Sequence, residues 1–171
     1  MKPRRLVVRR GTIKDAVDDL VQTKFGEDTM SNNRLIIVGG VAGGASAAAR
    51  ARRLCENCEI LMIERGPHVS FANCGLPYFV GGEIAEQDSL LVQTPESLKT
   101  RFNLDVRIKT EVIHIDRAAG RIWARAQETG REYKEAYDAL ILSTGASPLK
   151  PAIPGIERPN HFVVRDIPDG E

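Results

Sequence analysis

Among the residues able to do covalent chemistry, Cys74 has the most informative surroundings. It stands in the run Ser70, Phe71, Ala72, Asn73, Cys74, Gly75, Leu76, Pro77, Tyr78, where Gly75 and Pro77 shape the backbone beside a thiol. A free thiol titrates near ~8.5, so attack or exchange at neutral pH needs a helix terminus or a cation beside it. The alternative is a buried structural cysteine. The other two, Cys55 and Cys58, form a C-x-x-C with Glu56 and Asn57 between them. That spacing serves zinc sites and thioredoxin-like pairs, but here it falls at the end of a helix, where the dipole opposes thiolate formation. No second C-x-x-C or close histidine pair completes a zinc site. The pair is therefore expected to fill space between helix and strand, with no metal and no disulfide framework.

A second constellation is suited to holding an anion. Gly39, Gly40, Val41, Ala42, Gly43 and Gly44 follow an apolar run, and read against G-x-G-x-x-G they place Val41 at the middle glycine. The middle glycine normally lets backbone approach a pyrophosphate, so Val41 either faces away or holds the phosphates slightly further off. Small Ala42 and Gly43 keep the approach open. Glu64 lies 20 residues after Gly44, where a carboxylate accepts from both ribose hydroxyls of an adenosine. Its charge repels a 2′-phosphate, which points to FAD or NAD and away from NADP.

Three elements must position these groups. Leu35 to Val38 is a continuous apolar run, as in a strand buried on both faces, and it leads into the glycines. An Ala- and Arg-rich helix from about Gly43 to Leu54 follows, then a second apolar run, Ile60 to Ile63, which ends at Glu64. Strand, glycine turn, helix and strand make a βαβ unit of a parallel sheet. It delivers the chain past the nucleotide and into the Cys74 loop, near the sheet's C-terminal edge, where ligands of such folds bind.

Further along, Asp105 to Lys109, Glu111 to Asp116 and Arg121 to Ala126 read as short strands, with Ala118 to Gly120 as a turn. Tyr137 to Ser143 reads as another buried strand ending at Thr144 and Gly145, the Pro-rich LKPAIPGIERP as a surface connection, and His161 to Val164 as a last strand. Ahead of the unit, Ile13, Ala16, Val17, Leu20 and Val21 recur at helical spacing after a basic stretch from Lys2 to Arg10. Residues 1–30 form an extension of unclear role, and Met30 would serve as a start.

With 24 Lys+Arg against 23 Asp+Glu, the chain is not a strongly basic nucleic-acid or membrane-surface binder. Its 171 residues argue for one domain, and 42% hydrophobic content excludes wholesale disorder. No apolar run approaches the ~18 residues of a membrane span, and the N-terminus lacks a secretory h-region. The chain reads as cytoplasmic, with no nucleic acid and no membrane as partner.

Residues 34–171, above all IIVGGVAGGASAAARARRL, Glu64, SFANCGLPY and LILSTGASP, resemble the N-terminal FAD-binding part of the coenzyme A-disulfide reductases, within the pyridine nucleotide-disulfide oxidoreductases. Val41 at the middle glycine is common in that subgroup. The resemblance implies an α/β fold: a Rossmann-like FAD-binding βαβ domain with an added antiparallel β segment, truncated. Gly39 to Gly44, Glu64 and Arg65 would hold FAD, Val112 would touch adenine through its backbone, and Thr144 and Gly145 would close over the cofactor. Cys74 would be the single redox thiol, with electrons passing from NAD(P)H to flavin to Cys74. Its substrate would be coenzyme A disulfide or another low-molecular-weight disulfide or persulfide. Ser46, Arg50, Arg53, Ser70 and Asn73 correspond to residues around the coenzyme A site. Arg50 and Arg53, three apart on one helical face, suit phosphates, although a solvated helix face would read the same way. Residues 31–171 would be the first segment of the FAD/NAD(P)-binding domain, without the NAD(P)H and dimerisation domains that make full-length relatives homodimers. A non-catalytic FAD-binding lobe and an NADH oxidase are the alternatives.

Overall fold

The computed structural model describes residues 12–26 and 33–170; the basic stretch from Lys2 to Arg10 and Met30 lie outside them. Four parallel strands, β1 (Arg34–Val38), β2 (Glu59–Ile63), β3 (Asp105–Arg107) and β7 (Ala139–Leu142), form a sheet in the order β3-β2-β1-β7. Ile36 pairs with Leu61 on one side and Leu140 on the other. The runs in β1 and β2 are continuously apolar because both faces of the sheet are covered. Leu35, Ile37, Ile60 and Met62 pack under helices α1 (Ile13–Phe25) and α2 (Ala42–Leu54). Ile36, Val38, Leu61 and Ile63 face Ile122, Ala124 and Tyr137 instead.

That second layer is an antiparallel sheet of β4 (Thr110–Asp116), β5 (Arg121–Ala126) and β6 (Glu132–Ala136), with a register shift between Val112 and His114. Glu135 on β6 ties the sheets together. It sits 2.7 Å from Arg34 and 2.5 Å from Arg107, with only 14% of its side chain exposed. Burial works against the Arg107 charge, but its hydrogen bonds to Asp105, Tyr133 and Glu135 outweigh it and hold the guanidinium above its ordinary value.

Helix α1 forms where the spacing predicts one, started by a capping box between Thr12 and Asp15. Val17, Leu20, Val21 and Phe25 make its buried stripe, which joins the core shared with α2. This part of the expected extension is thus packed into the domain. Helices α3 (Leu76–Val80) and α4 (Pro95–Phe102) complete the described architecture.

Several expectations are corrected. Cys55 and Cys58 are bonded as a disulfide: the helix ends at Leu54, and the turn through Glu56 and Asn57 returns the chain to β2 with the two Cα atoms 5.5 Å apart, within bridging range. Cys58 is also buried in the core, so it packs as well as cross-links. Residues 161–164 form no strand; Phe162 is 84% exposed, with no sheet edge to receive the segment. β3 stops at Arg107 because Lys109 takes a φ of +47° and gives its N–H to the Gly66 carbonyl. No described helix is long and apolar enough to cross a membrane.

Candidate functional site

The site forms where β1, β2 and β7 end. Gly39 takes a φ of +97°, and a side chain there would strike the backbone carbonyl of Ser143 at the end of β7. This is a turn only glycine makes without cost. Helix α2 then starts at Ala42, and its first helical hydrogen bond runs from the Ala45 N–H to the Val41 carbonyl. The N–H groups of Ala42, Gly43 and Gly44 consequently have no acceptor within the helix. In α1 and α4 a threonine cap accepts from the third such N–H, whereas α2 has no side-chain cap. Its positive end is left for an external anion.

Val41 resolves the question its sequence position raises. Its side chain packs against the cluster of Phe71, Leu76, Leu90 and Ile167, fastening the Cys74 loop to the start of α2. The gap where a strict motif has glycine is thus filled by a residue with a packing task.

Glu64 follows β2, anchored by its N–H to the Arg107 carbonyl and by its own carbonyl, which accepts from Thr110 N–H at 3.0 Å. Its carboxylate accepts from Gly40 N–H and Gly66 N–H, each at 2.7 Å. Gly40 therefore gives its amide to Glu64 and supplies none to a ligand. Each carboxylate oxygen keeps a second lone-pair direction for a ribose hydroxyl.

Two adjoining cavities open here. One of 490 Å³ is lined by Val41, Glu64, His68, Thr144, Gly145 and Arg165. The second, of 280 Å³, is lined by Gly39, Glu64, Thr110, Val112 and Thr144 among others. Arg65 borders both. The structure thus brings Gly39, Val41, Glu64, Arg65, Val112, Thr144 and Gly145 to one place. A cavity of 760 Å³ lies at the opposite end of the sheet, around Arg34, Glu59 and Asp105. It is remote from the glycine turn, and its two arginines, Arg34 and Arg52, are already paired with carboxylates or carbonyls.

His68, Thr110 and Arg165 were not anticipated in the site. His68 Nδ1 is buried and has no hydrogen-bond partner among the described residues. Arg165 reaches back to the Ala146 carbonyl at 2.8 Å, so the chain's C-terminal part closes over Gly145. Asp169 pins that part by accepting from the Arg165 and Asp166 N–H groups, which hold its carboxyl below the usual range. The clue in the sequence was Arg165 beside Asp166 and Asp169 after a long Pro-rich connection.

Cys74 is an exposed free thiol, in a single helical turn spanning Asn73–Gly75 ahead of α3. The buried alternative is excluded. Cys74 itself lies outside the lining of both cavities, while Phe71 from its loop borders the larger one. Ser70 holds the loop with a φ of +46°, giving its N–H to Gly40 and accepting from Val92 and Gln93 N–H. A left-handed serine is uncommon and persists here because its neighbours over-determine it. On α2, Ser46 and Arg53 are exposed, while Arg50 is occupied: Asp18 of α1 accepts from both its Nε and Nη2.

The sequence profile of the pyridine nucleotide-disulphide oxidoreductase family matches residues 33–171. The chain belongs to that family. A coenzyme A disulfide reductase of Staphylococcus epidermidis is 40% identical over 115 residues, 67% of this chain and 26% of that protein. Among solved structures, reduced Bacillus anthracis CoADR-RHD superposes with a TM-score of 0.77 at 52% identity, covering 82% of this chain and 25% of that one. The NAD-dependent persulfide reductase from A. fulgidus gives 0.74 at 35% identity, covering 80% and 25%. The chain thus spans about a quarter of the length of these relatives, and its fold is the Rossmann-type α/β fold of the family.

Proposed function

We propose that residues 31–171 are the FAD-binding, thiol-bearing segment of an NAD(P)H-dependent flavoprotein reductase, and that Cys74 exchanges with a low-molecular-weight disulfide, coenzyme A disulfide foremost. The observation that carries this reading is the exposed, unpaired Cys74 on a loop that Val41 and Phe71 fasten to an uncapped helix N-terminus. Relatives named for coenzyme A disulfide and for persulfide support the substrate class.

The residues present fit FAD. The free N–H groups of Ala42, Gly43 and Gly44 suit the pyrophosphate, Glu64 suits the adenosine ribose, and the second cavity beside Val112 suits adenine. His68 Nδ1, buried without a partner beside the larger cavity, is the kind of group a ligand satisfies. FAD, when bound, supplies the electron pair from NAD(P)H that returns an oxidised Cys74 to the thiol. The chain's own part is exchange. The Cys74 thiolate attacks one sulfur of the substrate, a mixed disulfide forms, the substrate S–S bond breaks, and one coenzyme A thiolate leaves. The Ser70 contacts hold the attacking residue's loop in place during this step.

Incubating the chain with coenzyme A disulfide and mapping adducts by mass spectrometry tests the reading. One coenzyme A attached at Cys74, and none in Cys74→Ser, is expected. Attachment only at Cys55 or Cys58, or none, overturns it. Sulfenic acid at Cys74 formed with oxygen alone would instead favour the oxidase alternative.

A further inference from the structure

Helix α1 lies outside the segment that matches the family, yet it is built into the domain. Its apolar stripe is buried against α2 and the sheet, so burial rather than one ion pair keeps it in place. Its polar edge then sets the Asp18 carboxylate against the Arg50 guanidinium, Nε to Oδ1 at 2.6 Å and Nη2 to Oδ2 at 2.9 Å. This is the parallel two-point geometry by which arginine also grips a phosphate. Lys14, one turn earlier, adds a cation 3.4 Å from the same carboxylate. The hydrogen bond from Arg50 holds Asp18 below the ordinary carboxylate range, so at neutral pH it is charged, as a phosphate ester is.

Ser46, Arg50 and Arg53 stand on one face of α2 at intervals of four and three. The outer two are exposed, and the middle cation is claimed from within the chain. With Nε and Nη2 turned to Asp18, Arg50 keeps only its Nη1–Nη2 end for a phosphate, and the adjoining carboxylate repels that anion.

We propose that α1 is a built-in competitor for the phosphate-bearing substrate: Asp18 occupies Arg50, and the substrate's phosphate must displace it to bind across Ser46, Arg50 and Arg53. This rests on the reading of that face as the coenzyme A site. Binding releases Arg50 from α1, leaving α1 held by its apolar stripe alone.

The test uses the full chain and S-methyl coenzyme A, which cannot exchange with thiols, titrated by calorimetry. Because an ion pair still reached by solvent is a weak competitor, Asp18→Asn is expected to tighten binding about two- to fivefold. Arg50→Gln is expected to weaken it and to abolish the effect of Asp18→Asn in the double variant. Hydrogen exchange of the α1 amides should quicken when the probe is added. Equal affinity in wild type and Asp18→Asn, with Arg50→Gln still weakening binding, overturns the competitor and leaves the substrate site standing. Absent binding, or binding indifferent to both Arg50→Gln and Arg53→Gln, overturns the site reading and the competitor with it. Circular dichroism of Asp18→Asn confirms that α1 is retained, so a gain from loss of the helix is recognised.

Discussion

The replacement Gly44→Ala is the sharpest probe of the glycine turn. A Cβ on Gly44 would lie 2.8 Å from the carbonyl carbon of Gly39 and 3.3 Å from Ile37 Cγ2, with the Gly39 carbonyl oxygen closer still. Ordinary carbon contacts are about 3.5–4.0 Å, so the carbon contacts alone require the start of α2 to retreat by about 1 Å, and the carbonyl oxygen requires more. Gly39 is backbone in a turn that cannot rotate aside, so the strain is carried by the whole βαβ crossover. Overpacking of this kind costs about 1–3 kcal/mol, and a backbone obstacle places it at the upper end. Alanine's better helix propensity returns about 1 kcal/mol, leaving a net loss of about 2 kcal/mol. Gly43→Ala is the matched control, since its Cβ would clash only with the Ser143 hydroxyl, which can turn away, and would touch Ile13 at an ordinary 3.7 Å. It gains the same propensity, so the difference between the two variants isolates the backbone clash. With urea m-values of about 1–3 kcal/mol/M, the midpoint of Gly44→Ala should fall by about 1 M below wild type while that of Gly43→Ala should rise by about 0.5 M. Coincident midpoints for the two variants would refute the packing argument.

Three further outcomes follow from the same structure. A chromogenic disulfide reagent should titrate one thiol per native chain, none in Cys74→Ser, and three in denatured, reduced wild type; two or more native thiols would contradict the Cys55–Cys58 pairing. Replacing Glu64 by Gln should narrow the preference for ADP over adenosine 2′,5′-bisphosphate in competition binding, because the charge that repels a 2′-phosphate is gone; an unchanged ratio would remove Glu64 from the ribose site. The Asp169 carboxyl is depressed in the folded chain, so its contribution is present above the unfolded value of about 3.9 and is lost as pH falls through the lower folded value. Amide exchange of Arg165 and Asp166, corrected for its intrinsic pH dependence, should therefore show protection at pH 6 that disappears well below pH 4, and Asp169→Asn should lack it throughout.

The parallel sheet was legible because burial on both faces writes continuous apolar runs into β1, β2 and β7, and the turn because Gly39 to Gly44 join such a run to a helix. Strand β6 escaped notice: EYKEA is mostly charged, since Glu135 faces arginines and not an apolar core. Helix α4 escaped notice as well: Thr94, Pro95 and Ser97 form a capping signal, but the segment is too short for periodicity to stand out. His161 to Val164 misled in the opposite sense, because apolar residues make a strand only where a sheet edge receives them. In the site, the types of Glu64 and Cys74 were informative on their own. That Asp18 takes Arg50 and that Arg165 returns over Gly145 depend on contacts 32 and 19 residues apart in the chain, which no local pattern encodes.

The claim on which the account turns is that the uncapped start of α2, with Glu64, holds FAD beside the Cys74 loop. Titrating the purified chain into FAD and following flavin fluorescence tests it most directly. The account predicts saturable quenching that ADP reverses and that Gly44→Ala weakens at least tenfold. A folded chain that leaves the fluorescence unchanged across the titration would contradict it.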